Sequence, residues 1–144
     1  MMIIRPVAAA LDVLLIAALG VLVMIGPAKA DRISTPIAEF TGLDKITGRI
    51  ISFDVYIDET VQFGSLQITP RVCYTRTPDE PTQTSSFVEV SEVVDVAAGR
   101  GLQTIFTGWM FAESPALNAI EHPVYDVWLT ACKASSDVPP PAMQ

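Results

Sequence analysis

His122 is the single histidine among 144 residues, and around it stand the residue types of a hydrolytic triad: Glu113, Ser114, Glu121 and Asp126. That chemistry needs a nucleophile touching the base and an acid orienting the base. Ser114 stands just before Pro115 and reads as a helix N-cap, which commits its hydroxyl to backbone N–H groups. No Gly-x-Ser-x-Gly elbow occurs in the chain. A histidine before a proline is more often a turn residue hydrogen-bonded to nearby backbone. The first reading of this segment is therefore non-enzymatic, and a small hydrolase centred on His122 is the alternative.

Other constellations are weaker. Asp54, Asp58 and Glu59 lack the alternating ligands and the glycine of a calcium loop, so a solvated hairpin end explains them. Glu89, Glu92 and Asp95 lie in a strand pattern and read as a solvated face. With one histidine no multi-histidine metal site is expected, and no motif calls for a cofactor. Trp109, Met110, Phe111, Tyr125 and Trp128 form an aromatic-rich set. Core packing is its plain explanation; exposure beside a short helix, as a partner anchor, is the sharper one.

Charge narrows the ligand classes. The formal net charge is −7, a poor start for neutralising phosphates, so nucleic acid is not an expected partner. Residues 1–30 carry much of the apolar content. Arg5 provides a positive start, Val13–Ile25 an apolar run broken by Gly20, and Ala28-Lys29-Ala30 a small-x-small exit. These are the three parts of a secretory signal, with Asp31 as the mature N-terminus. The competing reading is an uncleaved inner-membrane anchor over Val7–Gly26. Asp12 counts against that, since a carboxylate inside a span costs roughly 2.5–3.5 kcal/mol. Export implies an oxidising compartment, and membrane contact only through this segment if it stays uncleaved. In an oxidising compartment the two cysteines, Cys73 and Cys132, read as a disulfide.

The elements that position these residues are mostly strands. Ile51, Phe53, Val55 and Ile57 alternate with polar residues, the mark of a half-buried strand. Val61 and Phe63 follow, then a break at Gly64-Ser65. Leu66–Tyr74 is the next strand, and Pro70 within it requires an edge or a bulge. On pattern alone Cys73 points away from Ile68 and Val72, so the bond lies on the second face or Pro70 shifts the register. Thr77–Ser85 reads as loop and Phe87–Val96 as strand. Leu102–Phe111, apolar on both faces, reads as a central strand. Ser114, Pro115, Leu117 and Ile120 signal one short helix near 114–121, stopped by Pro123. In the last strand, Val124–Ala131, one face carries Val127, Leu129 and Ala131 and the other Trp128 and Cys132. Asp31–Gly42 shows no periodicity and reads as a flexible lead-in; Ala134–Gln144, with Pro139–Pro141, reads as a disordered tail. The expectation is a single all-β domain over 43–133, a small antiparallel β-sandwich or barrel of about six strands.

Two segments carry a resemblance: Phe63-Gly-Ser-Leu-Gln-Ile-Thr-Pro-Arg-Val-Cys73, preceded by Asp44-Lys-Ile-Thr-Gly-Arg49, and the run from Gly108 to Cys132. Over Leu43 to Lys133 the chain resembles the exported bacterial domain-of-unknown-function family 2155. The resemblance implies an envelope-located, two-cysteine domain of a Gram-negative bacterium, and it brings no catalytic residue. The family often has an acidic residue just before the last cysteine, where this chain has Ala131. The function expected is a periplasmic module that binds an envelope protein or polymer. Its surface would be the one interruption of the β pattern: Glu113, Leu117, Asn118, Ile120, Glu121, His122 and Tyr125.

Overall fold

In the computed structural model the described residues are 31–97, 99–118, 120 and 122–141. The expected signal segment, Glu121 and the last three residues of the tail lie outside them. Among the described residues eight strands follow one another: β1 (Arg32–Ser34), β2 (Ile37–Asp44), β3 (Arg49–Tyr56), β4 (Val61–Phe63), β5 (Leu66–Arg76), β6 (Ser85–Val96), β7 (Gly99–Phe111) and β8 (Tyr125–Lys133). All pairings are antiparallel. One sheet has the order β1-β5-β6-β7, with β4 sharing the outer edge of β5; the other has the order β3-β2-β8. Two layers of this kind make a sandwich, and no barrel closes among the described residues.

The core lies between the sheets. Ala38, Phe40 and Val55 meet Leu66, Ile68, Val88, Val90, Met110, Val127 and Leu129 there, all buried. Alternation puts these residues inward along β6, where Ser86, Val88 and Val90 are buried and Phe87 and Glu89 are half-exposed. Two strands break the alternation. The β5–β6 register shifts between Pro70 and Val72, so Pro70, with no N–H for the ladder, sits at a bulge. The β2–β8 register shifts between Glu39 and Phe40, leaving Thr130 unpaired on β8. Past its bulge each strand changes face. Cys73 and Cys132 thereby both turn inward and form a disulfide, with 5.7 Å between Cα atoms. Of the two possibilities open in the sequence, the register shift at Pro70 holds; and Cys132 lies on the face of Val127 and Leu129, not on the opposite one.

Four expectations need correction. The segment 31–42 is no flexible lead-in. It supplies β1 and most of β2, and β2 is the central strand of its sheet, with Ile37, Ala38 and Phe40 buried. Its inward run of Ala38, Phe40 and Gly42 alternates small and large, which hides the apolar period. Gly42 has no Cβ because the Phe63 ring lies over it, 2.7 Å from where that atom would be. Second, β7 is an edge strand, not a central one. Its two apolar faces reflect aromatic packing on the outer surface; sheet order is set by hydrogen bonding and is independent of that. Third, the short helix is a single 3-10 turn, Pro115–Asn118. Fourth, the start of the tail is fastened. Ser136 hydrogen-bonds Asp54, and the Tyr56 hydroxyl donates to the Val138 carbonyl at 2.8 Å.

Candidate functional site

The segment joining β7 to β8 leaves the sheet at Phe111 and re-enters it at Tyr125. Its first anchor is Glu113, whose carboxylate accepts the Thr84 N–H at 2.9 and 3.0 Å. The Ala112 N–H answers with a bond to the Thr84 carbonyl at 3.1 Å. The turn Pro115–Asn118 is then tied to the edge of the sheet, because Asn118 Nδ2 donates to the Trp109 carbonyl at 2.6 Å. Two ends held in this way leave the tip little freedom. At that tip Leu117 is 68% exposed. Beside the turn is a hollow of about 210 Å³ lined by Pro115, Ile120, Asp126, Val127 and Trp128.

After the turn the chain dives inward. Ile120 is buried in the core, and His122 is only 7% exposed. Nδ1 of His122 accepts the N–H groups of Val124 at 3.2 Å and Tyr125 at 3.0 Å. Its Nε2 therefore carries the proton and donates to Glu92 Oε1 on β6, 3.0 Å away. The imidazole stacks on the Tyr125 ring with centroids 5.3 Å apart. Lys45 closes the arrangement: its Nζ donates to the His122 carbonyl at 2.9 Å and pairs with Asp126 at 2.7 Å. An imidazole with both nitrogens committed organises a turn and has no nitrogen free to take a proton from a serine.

The expected surface is thus divided. Leu117 and Asn118 present themselves to solvent, and Glu113 is exposed but braces Thr84. Ile120 and His122 point into the protein. Tyr125 is half-buried between His122 and Phe63, whose ring it meets edge-on at 5.5 Å. The aromatic set is divided as well. Met110 belongs to the core, Trp109 packs on the outer face against Tyr74 and Phe87, and Trp128 lines the hollow by the turn.

The acids expected to be solvated are mostly paired. Glu92 holds His122, and Glu89 and Asp58 share Arg71 at 2.8 and 2.9 Å. Asp54 and Glu39 share Lys133, each at 3.0 Å. Burial works to raise the Asp54 carboxyl, but the Ser136 hydroxyl and the Lys133 ammonium outweigh it and hold it below the usual carboxylate value. Hydrogen bonds from Lys133 to Asp54 and Glu39 hold that ammonium above the ordinary lysine value. Thr84 and Lys45 escaped sequence reasoning, and Glu92, which reads in sequence as part of a solvated face, instead holds His122. Each lies roughly 30 or more positions from its partner, and no local pattern announces such a contact.

A family model described as "Uncharacterized protein conserved in bacteria (DUF2155)" matches residues 38–132. The chain belongs to the DUF2155 family. The matched stretch begins in β2 and ends at Cys132, so it takes in strands of both sheets, the disulfide and the braced turn, and leaves out β1. The start at residue 38 agrees with the structure in counting β2 as part of the domain. No curated protein and no solved structure matches this DUF2155 chain significantly.

Proposed function

We propose that this DUF2155 protein is an exported, non-enzymatic module that binds a protein partner in the cell envelope. The observation that carries this reading is Leu117, a large apolar side chain held in solvent on a turn pinned at both ends. A lone exposed leucine is ordinary; one displayed on a braced turn beside a small apolar-lined hollow suits insertion into a partner. Rigid display lowers the entropy cost of binding, and loops fixed on a sheet scaffold are frequent recognition sites. Export is supported by the signal-like features of residues 1–30 and agrees with a disulfide between the two cysteines. The structural commitment of His122 favours binding over hydrolysis.

Affinity capture from an envelope extract tests the reading, with the wild-type chain compared against Leu117→Asp. A partner retained by wild type and lost by Leu117→Asp, at equal melting temperature, supports it. Capture of the same proteins by both reduces the turn to a cap on the sheet edge.

A further inference from the structure

The outer face of the β1-β5-β6-β7 sheet holds a second feature, independent of Leu117. Ser85 on β6 stands in direct register with Tyr74 on β5 and with Phe111 on β7. A small side chain between two aromatic ones leaves a slot. Strands lie about 4.8 Å apart, so β5 and β7 are about 10 Å apart, a separation that seats one ring between two side chains. Trp109 borders the slot, stacked on Tyr74 with centroids 6.1 Å apart. The resulting hollow is about 250 Å³.

Its rim is polar and cationic. Arg32 reaches over the Tyr74 ring, 5.0 Å from the centroid, and makes no ion pair among the described residues. Arg76 is held in place by Gln83 Oε1, at 3.0 and 2.6 Å, and by Glu80 at 3.2 Å. With Oε1 of Gln83 occupied, its amide N–H groups remain available as donors. Two guanidinium groups beside an aromatic slot stand out on a chain of net charge −7. Glu80 offsets one of them and leaves a net positive charge at the rim.

We propose that this slot binds an acidic sugar, a pyranose ring carrying a carboxylate. The ring would sit over Ser85 between Tyr74 and Phe111 with Trp109 at its border, its carboxylate would meet Arg32, and its hydroxyls would meet Gln83 and Ser85. The hydrogen-bonding groups of the lining favour a sugar over an aromatic acid, which has no hydroxyls to offer them. The cation favours an acidic sugar over a neutral one, through a charge-assisted hydrogen bond.

Calorimetric titration of the full protein with trigalacturonate tests this, with neutral tri-N-acetylglucosamine and benzoate as comparison ligands. The expected result is saturable binding of trigalacturonate, at least about tenfold tighter than either comparison ligand. Arg32→Ala should weaken it by about tenfold or more, and Ser85→Leu, which fills the slot, should abolish it. Leu117→Asp should bind like wild type. Arg32 is an exposed residue on a three-residue edge strand, so its variant remains informative if Ser85→Leu fails to fold. Absent binding of trigalacturonate, equal binding of the neutral trisaccharide, tighter binding of benzoate, or wild-type affinity in Arg32→Ala would each overturn the proposal. None of these outcomes bears on the partner surface at Leu117.

Discussion

Cys73 and Cys132 link the two sheets of the sandwich, and each reaches the interior because its strand bulges a few residues earlier. The bond closes a separation of 59 residues, worth about 4 kcal/mol by chain entropy. Replacing Cys132 with Ser should therefore lower the melting temperature clearly. Wild type should lose stability on adding reductant, while a Cys73→Ala, Cys132→Ala double variant should melt at the same temperature with and without it.

His122 ties three things together: the backbone of the β8 entry, Glu92 on β6, and the ring of Tyr125. Leaving these polar groups unpaired costs about 1–3 kcal/mol for each buried one. His122→Ala should lower unfolding free energy by at least about 2 kcal/mol, measured by denaturant titration. His122→Asn should fall between the two. A short amide can accept the N–H groups two and three residues on, as in an Asx turn, but cannot reach Glu92.

Asp54 gives the fold a dependence on pH whose sign is fixed by the direction of its shift. Its carboxyl is held below the usual value in the folded state, so its contribution is present above the unfolded carboxylate pKa and fades as pH falls through the lower, folded one. The stability gap between wild type and Asp54→Asn should be full at about pH 6 and shrink as pH drops from about 4 downward. Thermal melts of both proteins across that range check this. Lys133 acts in the opposite sense at the alkaline end, since its raised value loses its contribution only as pH climbs through it.

Gly64 combines two demands that only glycine meets. Its φ is +59°, and a Cβ there would run into the ring of Tyr125. Gly64→Ala should destabilise the domain by about 1–3 kcal/mol, read as a fall in melting temperature. Gly48→Ala, at φ +71° with open space around it, should cost less, because it carries the backbone strain without the clash.

Much of the architecture was legible in the residues. Ile51, Phe53 and Val55 alternate cleanly because one face of β3 meets the core and the other faces outward. Pro70 marked its bulge, since a missing N–H must fall where the ladder is interrupted. The strand β2 was hidden because Ala38 and Gly42 are weak apolar markers, and Gly42 owes its place to Phe63, a ring 21 positions away. The edge position of β7 could not be read from Trp109, which packs on Tyr74 and Phe87 on the same outer face. In the candidate site, the turn at Pro115 was visible as local punctuation. That His122 faces inward was not, because Glu92 and Lys45 lie far from it along the chain, one on β6 and one in the turn after β2. An imidazole flanked by acidic residues looks the same in sequence whether it activates a nucleophile or fastens a turn.

The most direct test of the binding function is site-specific photo-crosslinking in living cells. A photoreactive residue is placed at position 117, and separately at position 50, where Ile50 is comparably exposed on β3 at 62%. Position 117 should yield one discrete crosslinked envelope protein, and position 50 should not yield it. If 117 gives no adduct, or only those also seen from position 50, the Pro115–Asn118 turn is not a partner surface.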